Sequence, residues 1–294
     1  MKLLTAEETR RLLPYGGMAE ALAEVMRERA AGRAYAPARM SVPLAHGGVL
    51  LLMPATDGRL AITKLVTVHT GNSLRQDGLS VVQAEVLVMD ASTGRRLAIM
   101  DGEVVTGRRT SALSLLAAQK LARAPGGPLL VVGAGTQARY HVEAFVEALD
   151  VREVYIYSRT QAHAERLAAY ARTLAEGVEA SAIPDPAQAL PIATLIVTAT
   201  TSMEPVIPGG GATVRGDAFI AAVGAFTSEM AELPPALIHR SHIYVDTFDG
   251  TKAGAGDLLQ AQIDWSRVIE LQDALDTATP EDGPLIFKSV GHAL

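Results

Sequence analysis

Residues Leu129–Ala138 read LLVVGAGTQA. Four apolar residues run straight into a glycine-rich turn that opens a helix. The spacing Gly133-Ala-Gly135-Thr136-Gln137-Ala138 fits G-x-G-x-x-G/A, the fingerprint of dinucleotide-binding βαβ units. Gly133 suits the tight turn, Gly135 lets the backbone approach a pyrophosphate, and the single methyl of Ala138 lets helix and strand pack closely. Free N–H groups at the helix N-terminus then face the phosphates. The context strengthens a motif that is weak alone. A helical stretch, His141–Ala148, follows the turn, and a second strand, Val154–Ser158, comes next. The plain alternative is an ordinary strand-to-helix loop of another α/β protein.

Composition narrows the class. At 294 residues the chain can form one large or two medium domains, and its hydrophobic (49%) and charged (20%) fractions are ordinary for a soluble globular protein. No apolar run reaches the roughly 18–20 residues that span a bilayer. The opening MKLLTAEETRR soon turns charged, which does not suit a signal peptide. Cysteine is absent, which excludes disulfides and thiolate catalysis and fits a cytoplasmic protein. A net charge of −6 argues against a nucleic-acid surface.

On either side of the fingerprint the texture differs. Thr5-Ala-Glu-Glu8 resembles a capping box before a helix, and Ala19–Ala31 has helical periodicity. Arg39–Leu44, Val49–Pro54, Leu60–Val68, Ser80–Asp90 and Arg96–Asp101 are short, β-rich and separated by turn residues, which predicts an antiparallel sheet or partial barrel. Thr110–Ala124 is a helical run, and APGGP at Ala124–Pro128 breaks it, so the domain crossing is expected there. Beyond the fingerprint, Gln161–Leu174 reads as a helix. Strands are expected near Val178–Ile183, Leu195–Thr201, Ala218–Gly224 and His242–Val245. The predicted fold class is therefore α/β: a Rossmann-type doubly wound parallel sheet in 3-2-1-4-5-6 order, plus a β-rich α+β domain. Residues 125–274 are assigned to the former. Residues 1–124 with the returning tail, 275–294, are assigned to the latter.

The end of the second strand indicates the cofactor. NAD-specific sites place an acid there for the ribose hydroxyl, but this chain has Ser158-Arg159-Thr160. Two hydroxyls and a guanidinium suit a 2′-phosphate, so NADP(H) is preferred, with NAD(H) possible. The alternative is a solvated arginine. Thr198–Ser202, containing Thr200, Thr201 and Ser202, lies at the carboxyl end of a buried strand, where such residues either line the cofactor crevice or simply form a turn.

Three cations stand out in the β-rich half: Arg39, Lys64 and Arg109. Lys64 interrupts the apolar strand LAITKLVTV, and a lysine is rarely buried without a partner. Arg109 and Thr110 are placed at the start of the crossing helix. A cleft with several cations would suit a small carboxylate, although any one of them could be an exposed edge-strand residue.

The motifs together resemble the ornithine cyclodeaminase/μ-crystallin family. The pieces occur in order: Lys64-Leu-Val-Thr-Val with Gly71-Asn72, Thr93-Gly94, Arg109-Thr110-Ser-Ala, the fingerprint and Ser158-Arg159-Thr160. They continue with Val223-Gly224-Ala225, Glu232-Leu233, Val245-Asp246, Gly254–Asp257 and Phe287-Lys-Ser-Val-Gly291. The resemblance implies a first domain that binds substrate and forms a homodimer, and a second that binds the cofactor. It implies that Arg39, Lys64 and Arg109 contact the substrate carboxylate or its reacting carbon. It also implies that Arg109-Thr110 touches cofactor phosphate, and it adds Val223 and Gly224 to the cofactor residues. Cyclodeaminases of the family carry an aspartate where this chain has Phe226, so ornithine deamination is not expected. The stretch around Phe226 looks most like the family's reductases of cyclic imines. These convert Δ1-pyrroline-2-carboxylate to proline or Δ1-piperideine-2-carboxylate to pipecolate.

The expected chemistry is hydride addition to a C=N carbon, with the cofactor carrying the hydride. Lys64 is the candidate for proton supply, because apolar neighbours and nearby cations lower a lysine's pKa; water is the alternative source. Arg39 and Arg109 would fix the carboxylate. His69 competes for the acid role or is a solvated turn residue, and His141 reads as structural. Asp246 and Asp257 fit loop or cap roles. No spacing suggests a metal site. The rival functions are an alanine-type dehydrogenase of the same fold and a cofactor-binding crystallin without turnover.

Overall fold

The structure, a computed structural model, describes residues 1–69, 71–72 and 79–291. The last residues of the expected tail, 292–294, lie outside the described ones. Among the described residues two compact units are present, 1–109 and 110–291.

The first unit begins with strand β1 (Lys2–Leu3), helix α1 (Ala6–Leu12) and helix α2 (Tyr15–Ala30). The Thr5 capping box forms: Glu8 N–H donates to Thr5 Oγ1, and Thr5 N–H donates to the Glu8 carboxylate. Strands β2 (Met40–Pro43), β3 (Val49–Thr56), β4 (Leu60–Val68), β5 (Val82–Asp90) and β6 (Arg96–Asp101) follow. They form an antiparallel meander, and β1 adds in parallel beside β6, giving the order β1-β6-β5-β4-β3-β2. The turns obey their local chemistry. Asp57 accepts the Arg59 and Leu60 N–H groups, Asp90 accepts those of Ser92 and Thr93, and Gly58 and Gly94 supply positive φ. Arg108 is buried, with its guanidinium 3.7 Å from the Tyr15 ring centroid and its Nε donating to the Leu13 carbonyl.

Helix α3 (Gly102–Leu121) begins earlier than its sequence signal. Asp101 accepts the Val104 N–H and so caps the helix start. Arg109 therefore lies two turns inside the helix and not at its start. The division between the units falls within α3, after Arg109, and not at the APGGP break. An Ala/Leu-rich helix has no internal break that would mark such a boundary.

The second unit contains strands β7 (Leu129–Val132), β8 (Glu153–Tyr157), β9 (Glu179–Ala182), β10 (Leu195–Thr198), β11 (Phe219–Ala222), β12 (His242–Val245), β13 (Val268–Glu270) and β14 (Leu285–Lys288). Between them lie helices α4 (Thr136–Leu149), α5 (Gln161–Ala171), α6 (Pro235–His239), α7 (Phe248–Gly254), α8 (Gly256–Gln260) and α9 (Leu271–Ala274). All strands are parallel, in the order β13-β12-β14-β11-β10-β7-β8-β9. Both faces are buried. Leu130, Val132, Ile196, Ile220 and Ile286 join one apolar cluster, while the alternate residues Leu129, Val131, Val197, Phe219 and Phe287 have 0% exposure.

The 3-2-1-4-5 part of the expected order holds. The remainder needs correction, because β14 inserts between β11 and β12. The described part of the tail therefore belongs to the second unit, where it forms an interior strand of the doubly wound sheet. LIFK is too short to betray this on its own, and only its all-apolar start fits a strand buried on both faces. Arg123 secures the approach to β14 by donating to the carbonyls of Pro280, Asp282 and Gly283.

His141 is fully buried on α4. Its Nδ1 meets the Gln137 carbonyl at 2.8 Å, so that nitrogen carries the proton, and Nε2 accepts from Ser114 Oγ at 2.9 Å. Burial holds its pKa down at about 4. Below the ordinary histidine value near 6.5 the unfolded chain takes up a proton that the folded chain refuses. Stability is therefore lost as the pH falls from about 6.5 towards 4, by up to about 3 kcal/mol. Thermal unfolding measured across that window should show this slope in the wild type and a shallower one in His141→Gln. Equal slopes would remove the assignment.

Candidate active site

Lys64 lies in the middle of β4, between Met53 on β3 and Val86 on β5, and both of these neighbours are buried. Strand alternation puts Val66, also buried, on the same face. The Lys64 pKa is lowered to about 8, first by burial and then by the positive charges of Arg109 and Arg39. The structure thus brings the three sequence-selected cations of the first unit within electrostatic reach of one another. Arg39 is exposed, just before β2, while Lys64 and Arg109 are half-buried. Three positive charges sharing a partly dry site repel one another, and a carboxylate bound among them would relieve that repulsion.

In the second unit the fingerprint adopts the geometry its sequence implies. Gly133 follows β7 with φ +119°, and its N–H donates to the Tyr157 carbonyl at 2.8 Å. A Cβ at Gly133 would stand 2.5 Å from the Ala199 carbonyl oxygen, so this glycine lets the β7 and β10 loops close on each other. Ala138 is completely buried, as a helix packed against its strand requires. Gly135 is the N-cap of α4 and offers no side-chain hydrogen bond, and the first turn contains no acid. A Cβ at Gly135 would meet no protein atom within 4 Å. Packing therefore does not require a glycine there, whereas close approach of a phosphate does. The residues fit a dinucleotide pyrophosphate. Thr136 is exposed and Gln137 half-buried, and both open α4. Thr110 lies in α3, the first residue of the second unit.

At the end of β8, Ser158 is half-buried and Arg159 and Thr160 are exposed; Thr160 N–H donates to Ser158 Oγ at 3.3 Å. No acid occupies this strand end. Thr200, Thr201 and Ser202 follow β10, and Val223 and Gly224 follow β11. These carboxyl ends adjoin the switch point between β7 and β10, where ligands of doubly wound sheets bind.

Glu232 joins these two loops. Its fully buried carboxylate accepts from Thr200 N (2.7 Å), Thr200 Oγ1 (2.9 Å), Gly224 N (2.7 Å) and Ala225 N (3.2 Å). Behind it, Asp257 accepts the Glu232 and Leu233 N–H groups and pairs with Lys288 Nζ at 2.6 Å. Burial raises the Glu232 pKa, opposed by the positive charge of Lys288. Asp246 accepts from Ser289 Oγ, Val290 N and Gly291 N, which ties the segment after β14 to the end of β12. Asp246 thus acts in a loop, whereas Asp257, in the first turn of α8, holds the backbone of another segment instead of capping its own helix. Glu232 and Lys288 stood in the sequence motifs with no role assigned. Lys288 gave a signal like that of Lys64, a lone lysine in an apolar strand, though Lys288 closes its strand and Lys64 lies within one.

The remaining candidates separate clearly. The His69 ring lies where a Cβ on Gly48 would be, so it packs against that backbone. His141 is a structural group of α4, as the sequence suggested. Phe226 is exposed just beyond Ala225. Among the described residues no group of three or more His, Cys, Asp or Glu could hold a metal, and no helix is long and apolar enough to cross a membrane.

Known proteins are similar to this chain in sequence and in fold. The profile of the ornithine cyclodeaminase/mu-crystallin family matches residues 1–294. The chain is 37% identical over 291 residues to Delta(1)-pyrroline-2-carboxylate reductase 1 of Burkholderia multivorans, covering 98% of this chain and 90% of that protein. The structure of Thermococcus litoralis Delta(1)-pyrroline-2-carboxylate reductase in complex with NADH and L-proline superposes with a TM-score of 0.88. That pair is 28% identical, with 100% of this chain and 93% of that one covered. An archaeal alanine dehydrogenase dimer with bound NAD also gives 0.88, at 28% identity, covering 100% and 91%.

The two fingerprint glycines should respond differently to substitution. Gly135→Leu meets open space, so the melting temperature should fall by no more than about 4 °C while dinucleotide affinity drops at least tenfold. Gly133→Ala collides with the Ala199 carbonyl and should instead destabilise the fold. Unchanged dinucleotide binding in Gly135→Leu would mean that no phosphate lies over that residue.

Proposed function

From the chain's membership of the ornithine cyclodeaminase/mu-crystallin family, to which it belongs along its length, we infer that it is a nicotinamide-dependent reductase of cyclic ketimine carboxylates. Relatives matched over nearly the whole chain carry that activity in their names. Within the molecule, the observation that carries the reading is Lys64 set in an apolar strand within electrostatic reach of the Arg109 and Arg39 guanidinium groups. The substrate is Δ1-pyrroline-2-carboxylate, reduced to L-proline, with the six-membered Δ1-piperideine-2-carboxylate as a second candidate.

In this reading each group of residues has a distinct task. Arg39 and Arg109 hold the carboxylate and fix the plane of the ring, which removes much of the entropic barrier. Lys64, with its pKa lowered to about 8, holds a proton at neutral pH and releases it readily. Its Nζ–H faces the ring nitrogen, keeping the C=N group in its electrophilic iminium form until the carbon has accepted hydride. The nicotinamide cofactor supplies that hydride when bound. Gly133, Gly135, Thr136, Gln137 and Ala138 form its phosphate cradle. Thr200, Thr201, Ser202, Val223 and Gly224 line the nicotinamide half, and Thr110 adds a hydroxyl toward phosphate. Phe226 carries no charge to hold a second ammonium group, which weighs against diamino-acid substrates. Ser158, Arg159 and Thr160 favour a 2′-phosphate and hence NADPH, whereas the Thermococcus relative holds NADH.

A panel of five- and six-membered cyclic imines, with pyruvate plus ammonia as the contrasting substrate, tests the reading with both reduced cofactors. Pyrroline-2-carboxylate should turn over best, and Lys64→Met should lose at least a hundredfold in kcat/KM. The wild-type kcat/KM should fall as the pH rises through about 8, and this limb should be missing from the variant. Arg159→Ala should raise KM for NADPH about tenfold and leave NADH nearly unchanged. Preference for pyruvate with ammonia would make the protein an alanine-type dehydrogenase. Cofactor binding without turnover of any substrate would leave only a nucleotide binder.

We further propose a homodimer assembled through the first unit. Leu60, Leu65 and Val82 on its sheet, and Met40 and Val42 on the edge strand β2, are exposed apolar side chains. One solved relative is described as a dimer. Sedimentation should give twice the chain mass for the wild type and a lighter species for Leu65→Lys. A wild-type monomer would refute the assembly.

A further inference from the structure

The fold places one carboxylate behind both loops that follow β10 and β11. Each oxygen of Glu232 receives two donors: Oε1 from Thr200 N and Oγ1, Oε2 from Gly224 N and Ala225 N. The approach is so close that a Cβ on Gly224 would collide with Glu232 Oε1 and with the Thr200 backbone. The Glu232 backbone is fixed as well. Its carbonyl accepts the Val206 N–H, Ala231 N–H donates to the Ser202 carbonyl, and Asp257 receives the Glu232 N–H. Gly256 lets the carbonyls of Thr227, Ser228 and Met230 lie against the start of α8, which brings Asp257 into reach. Lys288 then neutralises Asp257.

This clamp is asymmetric across the sheet. The loops after β7 and β8 belong to the half that takes the pyrophosphate and the adenine ribose, and Glu232 bonds to neither of them. The loops after β10 and β11 belong to the other half. We propose that Glu232 is a positioning residue for the nicotinamide half of the cofactor site, locking residues 199–202 to residues 223–225 without touching the cofactor. The proposal rests on the reading that this crevice holds a nicotinamide dinucleotide.

Glu232→Gln keeps the shape but turns one oxygen into an NH2 group, which opposes two of the four donors. The affected loop should shift, because buried donors left facing a donor are costly. The test compares two probes on the apo protein, with no turnover involved. NADPH, followed by nicotinamide fluorescence, reports the whole crevice. 2′-Phospho-ADP-ribose, followed calorimetrically, reports the half that Glu232 does not touch. In Glu232→Gln the NADPH dissociation constant should rise about tenfold while that of 2′-phospho-ADP-ribose stays within twofold. Glu232→Asp keeps the charge on a shorter stem and should recover part of the loss; if the Gln variant fails to fold, the same selective weakening is sought in the Asp variant. Equal weakening of both probes would show a merely structural role and overturn the proposal, as would no weakening of either. Failure of the wild type to bind either probe would remove the cofactor reading and this inference with it. Selective weakening in a protein that reduces no imine would sustain the inference and reject only the substrate.

Discussion

An ammonium group cut off from water must be met by a carboxylate, and in this chain Lys288 meets Asp257 with neither side chain exposed. Removing one member of such a pair costs about 3–5 kcal/mol, because the other is left buried and charged. Much of the second unit is arranged around that contact. Lys288 ends an interior strand, Asp257 begins a short helix, and the free oxygen of Asp257 reaches the backbone of the segment that carries Glu232. A charge pair in the floor of the sheet is thereby linked, through hydrogen bonds, to the loops at the mouth of the crevice.

The first unit handles charge in the opposite way. Burial, and then the positive charges of Arg109 and Arg39, lower the pKa of Lys64. The two lysines share a sequence signature, a single ammonium in an apolar strand, yet one belongs to the scaffold and the other is held ready for a ligand. The difference lies in what faces each of them, which is a property of the three-dimensional arrangement. Lys64 stands out in the sequence because it interrupts a long apolar strand. Lys288 does not, because LIFK is too short to read as a strand on its own.

The elements with strong local signals were legible. Leu60–Val68, Arg96–Asp101 and His242–Val245 have the bounds their patterns suggested, the capping box at Thr5 forms, and the fingerprint turn has the conformation that its glycines require. Elements set by long-range contacts were not. β1 has only two residues and exists because it pairs with β6. β13 and β14 are short and follow turn-rich sequence, and their partners lie far away along the chain. The start of α3 was missed because Gly102 and Gly107 weaken the helical signal, although Asp101 supplies a cap. In the site, side chains that recognise a ligand by charge were visible as anomalies of composition. Glu232 was not, because a glutamate between Ala231 and Leu233 looks ordinary until its four donors are assembled around it.

The position of β14 also joins two tasks in one strand. β11 and β12 are both complete in sequence before Leu285 is reached, yet they are not neighbours; β14 lies between them. Without β14 the facing edges of β11 and β12 would be lined by unpaired amide and carbonyl groups. The same strand that pairs with both edges carries Lys288 to Asp257, so hydrogen-bond pairing and charge neutralisation depend on one segment.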